Sequence, residues 1–180
     1  MFLDVEQRIK RRNQILFSHD SLCLQELRQR LGQQSHRMQV LWALDCAKVP
    51  LARFEEKYPE ERRPRLALEL CEAWAKGQVK MPIAKRAILD CHAVAKEIDD
   101  RECIALCHAI GQAGAVVHTG GHAMGLPMYE LTAVVVRCGM KRYEGEVLGK
   151  IGEYLERLEY WRENVRKVEW SWAGFLIDKL

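Results

Sequence analysis

The sequence predicts an all-α protein, a single-domain bundle of seven to nine helices. Three observations predict it. Ala, Leu, Glu, Arg and Lys dominate the chain, and these are strong helix formers. Apolar residues recur three and four positions apart through nearly every segment, the period of a helix that buries one face. The one β-branched run, TAVVVRC at residues 132–138, continues a helical register without a turn, so no stretch reads as a strand. A chain of 180 residues has the size of one domain and can bury roughly two-thirds of its unfolded surface.

The elements follow in order. SLCLQELRQRLGQQ sets Leu24, Leu27 and Leu31 at helical spacing, with Asp20 or Ser21 as cap and Gly32 near the stop. SHRMQVLWALDCAK starts at Ser35, a good N-cap, and carries Val40, Leu44 and Ala47 on one stripe beside Leu41. Pro50 breaks or kinks that pattern, and a short helical turn through Phe54 and Tyr58 is expected before the proline-rich, charged loop YPEERRP. RPRLALELCEAWAKG places Pro64 in a first turn and Gly77 at a C-terminal cap, with Leu66, Leu70, Ala73 and Trp74 as the expected inner face. From Pro82 to Ile98, the residues Ala84, Ala87, Ile88, Cys91, Ala95 and Ile98 form one stripe. Asp99 or Asp100 can cap the next helix, on which Ile104, Cys107, Gly111 and Ala115 align. Its small residues at 109, 111, 113, 114 and 115 let neighbouring backbones approach, so this helix is expected at the centre. MYELTAVVVRCG is a further helix that stops at Gly139. Residues 141–180 read as charged C-terminal helices, with Val147, Ile151, Tyr154, Leu155 and Leu158 facing inward.

Composition narrows the function classes. The formal net charge is +3, and the first 65 residues carry 13 Lys+Arg against 9 Asp+Glu, too weak a bias for a nucleic-acid signature. No apolar run approaches the ~18 residues of a membrane span, and the charged start MFLDVEQRIKRRN does not read as a signal peptide. A cytoplasmic location is the expectation. Seven cysteines without a CxxC pair, most of them on apolar helical stripes, read as reduced buried thiols. No phosphate loop, dinucleotide fingerprint or paired-carboxylate signature occurs.

Four groups of residues could carry chemistry. His118 and His122 stand four apart, the spacing at which two imidazoles on one helix face can hold zinc. A third ligand would come from His92, His108 or Asp90. Thr119 occupies the Glu position of an HExxH motif, and Gly120-Gly121 can end the helix, so the same histidines also read as structural hydrogen-bonding groups at a bend, with no cofactor. Cys103, Cys107 and His108, beside Cys91 and His92, could form a thiolate–imidazole pair, but small buried thiols in an alanine-rich interface are the favoured reading. Arg62, Arg63 and Arg65, or Arg8, Lys10, Arg11 and Arg12, could touch phosphate, but Glu55, Glu56, Glu60 and Glu61 flank the first set. Trp161, Trp170 and Trp172 suit a partner interface or a core plug.

The stretch LWALDCAKVPLARFEEKYPEERRPRLALELCEAWAKGQVKM, then HAVAKEI, then AIGQAGAVVHTGGHAMGLPMYEL, resembles the family of putative immunity proteins of bacterial polymorphic-toxin systems. The resemblance spans about residues 40–135. The matching positions are Trp42, Asp45, Cys46, Phe54, Arg63, Pro64, Arg65, Trp74, Gly77, His92, Gly111, His118, His122, Ala123, Gly125 and Tyr129. The chain departs from the family pattern at Gln112, Gly120-Gly121 and Pro127. The resemblance implies a non-enzymatic protein that binds and neutralises a cognate toxin. The alternative is a helical metal- or small-ligand-binding protein centred on His92, His118 and His122, with Arg63 and Arg65 as further ligand-binding candidates.

Overall fold

Local chemistry sets several helix ends in the computed structural model, which describes residues 1–177. Nine α-helices are present among them: α1 (Leu3–Lys10), α2 (Gln25–Gly32), α3 (His36–Cys46), α4 (Lys48–Lys57), α5 (Arg63–Ala75), α6 (Met81–Val94), α7 (Arg101–Ala115), α8 (Gly125–Arg137) and α9 (Glu144–Asn164). Two short 3-10 turns lie between helices and two follow α9, and no strand occurs among the described residues. Ser35 caps α3 by accepting from the Met38 N–H, and Asp100 caps α7 by accepting from the Cys103 N–H at 3.0 Å. Gly77 and Gly139, at φ +72° and +62°, close α5 and α8 in Schellman turns. The bonds are Gln78 N–H to Ala73 C=O with Gly77 N–H to Trp74 C=O, and Met140 N–H to Val135 C=O with Gly139 N–H to Val136 C=O. Pro64 and Pro82 lie in the first turns of α5 and α6, where no N–H is needed.

Several expectations are corrected. Ser21 does not cap an α-helix. A 3-10 turn, Leu22–Leu24, precedes α2, and the Ser21 hydroxyl donates to Asp4 at 2.5 Å instead. Pro50 lies inside the first turn of α4, so the chain bends at Ala47 rather than at the proline. The inner face of α5 is rotated from the expected one. Pro64, Ala67, Leu68, Cys71, Trp74 and Ala75 are buried, while Leu66 is 47% exposed. The helix after Asp100 ends at Ala115, and the charged C-terminal helix ends at Asn164, with an extended segment beyond it.

α7 is the central helix. It packs against α4, α5, α6 and α8, and Cys103, Leu106, Cys107, Ile110 and Ala113 are buried on all its sides. Its glycines make the close approaches possible. A Cβ on Gly111 would stand 2.6 Å from the His92 ring of α6, and one on Gly114 would stand 2.8 Å from Cys71 Sγ of α5. α9 closes the other side by packing on α2, α3 and α8. Its buried Tyr154 ring lies 5.7 Å from Trp42 of α3, and the Trp42 indole N–H donates to the Tyr154 carbonyl at 3.0 Å.

Candidate functional site

α6 and α7 bring two histidines into contact, and the 3-10 turn before α8 places a third nearby, but these are not the expected three. His92 on α6 faces His108 on α7, with their Nδ1 atoms 2.8 Å apart. The ring centroids are 5.1 Å apart, the sum of that contact and the two ring radii, so the nitrogens meet along the line of centres. That is the geometry of one shared proton. Two nitrogens each about 2.0–2.1 Å from one tetrahedral zinc would stand roughly 3.3 Å apart with converging lone pairs. Burial, and then the neighbouring His108 and His122, lower His92 to about 4, so it is neutral. Burial also lowers His108, with Lys96 adding to it. His122 lies farther along, where its Nδ1 donates to Gln112 Oε1 at 3.1 Å. The Tyr129 ring of α8 lies 5.0 Å from His108 and covers the group.

His118 goes elsewhere. Because α7 stops at Ala115 and a 3-10 turn occupies Gly120–His122, His118 and His122 are not on one helical face. His118 is exposed and stacks on Trp74 of α5, with ring centroids 6.2 Å apart. No hydrogen bond or ring contact joins it to His92 or His122, and no group of three His, Cys, Asp or Glu among the described residues could hold a metal ion. Trp74 also meets Phe175, with ring centroids 5.2 Å apart, from the chain after α9. That segment straps one end of the bundle. The Ala173 N–H donates to the Ala75 carbonyl at 2.8 Å, the Arg37 Nε donates to the Leu176 carbonyl at 2.7 Å, and Leu176 is 1% exposed.

The tryptophans belong to the strap and its root. Trp170 and Trp172 are half-buried with rings 5.1 Å apart, the Lys76 ammonium over the first at 4.4 Å and the Arg37 guanidinium over the second at 5.4 Å. Trp161 donates its indole N–H to Asp45 at 3.1 Å, beside the Arg157–Asp45 ion pair. Burial would raise the Asp45 carboxyl, but Arg157, Trp161 and Lys48 more than offset this and hold it low. Arg63 and Arg65 are engaged by the acidic residues around them. Arg63 binds both Glu61 and Glu97, and Arg65 binds Glu55 through two nitrogens. The cysteines are poor nucleophiles. Burial pushes Cys71, Cys91 and Cys103 up to about 12 and Cys23 to about 11, and raises Cys46 and Cys107 further.

The most deeply buried carboxylate among the described residues is one that the sequence analysis missed. Glu130 of α8 is 2% exposed and accepts from the Tyr154 hydroxyl at 2.5 Å and from Lys150 Nζ at 2.9 Å. Burial pushes the Glu130 carboxyl up against the pull of Lys150 and Tyr154. Burial alone would lower Lys150, but Glu130 and Glu153 overcome it and leave the ammonium raised. The signal was present: Lys150 falls on the α9 stripe of Val147, Ile151 and Tyr154, where a charge needs a partner.

A family model described as "Imm-5 like putative immunity protein" matches residues 29–157. The chain belongs to this family. No curated protein and no solved structure matches the chain. The family match is wider than the resemblance over residues 40–135 and takes in α9 as far as Arg157. The family body therefore contains the histidine group, the Glu130–Lys150 pair and both partners of the Asp45–Arg157 bridge. Trp161 and the strap with Trp170 and Trp172 lie outside the match. No helix among the described residues is long and apolar enough to cross a membrane.

Proposed function

We propose that this chain is an immunity protein that binds a cognate bacterial toxin domain and neutralises it by stoichiometric occlusion, without chemistry of its own. The observation that carries the proposal is the family match across residues 29–157, which runs from the end of α2 through α3–α8 into α9 rather than over one motif. The state of the reactive groups supports it. The six buried thiols are held protonated by burial, His92 is neutral in a contact with another imidazole, and Arg63 and Arg65 are occupied by carboxylates. The toxin would be met in the bacterial cytoplasm.

The test uses the purified toxin domain encoded beside this gene. Titration calorimetry should give one toxin per chain with a dissociation constant in the nanomolar range or below. Toxin activity should fall linearly and reach zero at one equivalent. A toxin that stays fully active with excess protein overturns the proposal. Inactivation by far less than one equivalent overturns the non-enzymatic part, because it requires turnover.

A further inference from the structure

A cavity of about 520 Å3 lies where the segment between α1 and α2 crosses α7 and α8. Small-molecule sites run from about 300 to 1,000 Å3. Ile15, Ile104, Ala105 and Val136 give it an apolar lining. The wall carrying Ile15 is pinned in place: the next residue, Leu16, is 1% exposed and donates its N–H to Thr132 Oγ1 of α8 at 3.0 Å.

Polar groups converge on this lining from three elements. His108 and Tyr129 enter from α7 and α8, and Lys96 and Arg101 stand exposed beside them. Lys57 and Arg63 elsewhere on the surface are each held by two carboxylates. Among the described residues, Lys96 and Arg101 are held by none. His108 spends its Nδ1 on His92, and its Nε2 has no hydrogen-bond partner among the described residues. The shared proton decides what Nε2 offers. With that proton on His92 Nδ1, His108 carries its own proton on Nε2 and is a donor to the cavity.

We propose that this cavity binds a small amphipathic carboxylate, its apolar body against Ile15, Ile104 and Val136 and its charge met by Lys96, Arg101 and the His108 Nε2–H. A carboxylate fits better than a phosphate. Phosphate sites gather several free backbone N–H groups at a helix start, whereas the start of α7 is already taken by Asp100, which accepts from Cys103. The site does not depend on toxin binding, and it differs from the expected centre at His92, His118 and His122 because none of these residues lines it.

The experiment is an NMR titration of the full chain with a panel of straight-chain, branched and aryl carboxylates, each paired with its neutral primary amide. At least one acid should give saturable shifts at His108 and Tyr129, and its amide should bind at least about tenfold more weakly. The charged groups around the His108 ring are Lys96 and Arg101, with neutral His92 and Tyr129. A carboxylate placed among them should move the His108 titration upward. K96Q/R101Q changes exposed residues only, so thermal stability should be unchanged while affinity for the acid drops about tenfold and that for the amide stays the same. No saturable shift at His108 across the panel overturns the proposal. So does equal binding of acid and amide, or an acid whose affinity ignores K96Q/R101Q.

Discussion

Replacing Lys150 by Met tests whether the buried Glu130 charge depends on one partner. The two side chains have similar length, so little cavity is made, but the carboxylate loses its 2.9 Å ammonium contact and keeps only the Tyr154 hydroxyl among its present partners. With Glu130 2% exposed, water can replace only part of what the cation supplies. Removing one partner of a buried pair costs about 3–5 kcal/mol. For a chain of this size each kcal/mol lowers Tm by about 2–4 °C, so K150M should melt roughly 6–20 °C below wild type at pH 7. The sign of the pH dependence follows from the carboxyl. Its folded pKa is already raised by burial and rises further without Lys150, so the native state holds a proton that the unfolded state releases. Stability of K150M should therefore fall as pH rises from about 5 to 8 and recover as pH is lowered. Urea unfolding of K150M, E130Q and the double variant at three pH values measures this. The double variant should be more stable than K150M by more than about 1 kcal/mol, because neutralising Glu130 removes the stranded charge. A K150M loss under about 1 kcal/mol that E130Q does not change refutes a desolvated pair.

Four further outcomes are expected. Gly111→Ala puts a Cβ 2.6 Å from the His92 ring and should cost about 1–3 kcal/mol in urea unfolding, whereas Gly145→Ala on α9, with open space around it, should stabilise by up to about 1 kcal/mol. Because His92 is held at about 4 when folded, the unfolded chain takes up a proton that the native state refuses, so stability should drop as pH falls from about 6.5 to 4; H92Q should flatten that slope, and an unchanged slope contradicts the assignment. Of seven cysteines, Cys138 is the one that is not buried and should be the first to react with a disulfide reagent in native protein, the other six following only on unfolding. Leu176→Ala should cost about 2–4 kcal/mol in urea unfolding, since this side chain is 1% exposed; a loss below about 0.5 kcal/mol means that the strap is not docked.

The fold class and several helix ends were legible because they rest on local chemistry. Ser35, Asp100, Gly77 and Gly139 act where their side chains or φ angles are needed, and these requirements are visible in a short window of sequence. Which face turns inward was less legible. Leu66 and Leu70 suggested one face of α5, but the contact with α7 selects the side bearing Ala67, Cys71 and Ala75, where small residues permit close approach to Gly114. Periodicity counts apolar residues, whereas packing selects the small ones. The candidate site was partly legible. His92 does meet another histidine, but the partner is His108, sixteen residues away on an antiparallel helix. That pairing depends on the register between α6 and α7, which single-helix spacing cannot express.

The separation of His118 from His122 has a tertiary cause. Gly120 lies against the side-chain amide of Gln39, where a Cβ would collide with Gln39 Oε1. The same amide donates from Nε2 to the Leu31 carbonyl at 2.9 Å and so ties the end of α2 to α3. A continued α7 would carry a side chain or a helical turn into that contact. The chain instead ends α7 at Ala115 and turns through Gly120–His122. One consequence is that His118 faces Trp74 and the strap, outside the histidine group, while His122 turns back onto Gln112. The other is that Gln112 itself lies across Gly125, where a Cβ would stand 2.5 Å from Gln112 Oε1, so the start of α8 is set against α7 by this glycine. Gly120 and Gly125, within and just after the HxxxH stretch, are thus positions at which the turn meets α3 and α8 meets α7. Enlarging Gly120 or Gly125 should therefore reduce stability first and alter the histidine environment only through the shifted helices.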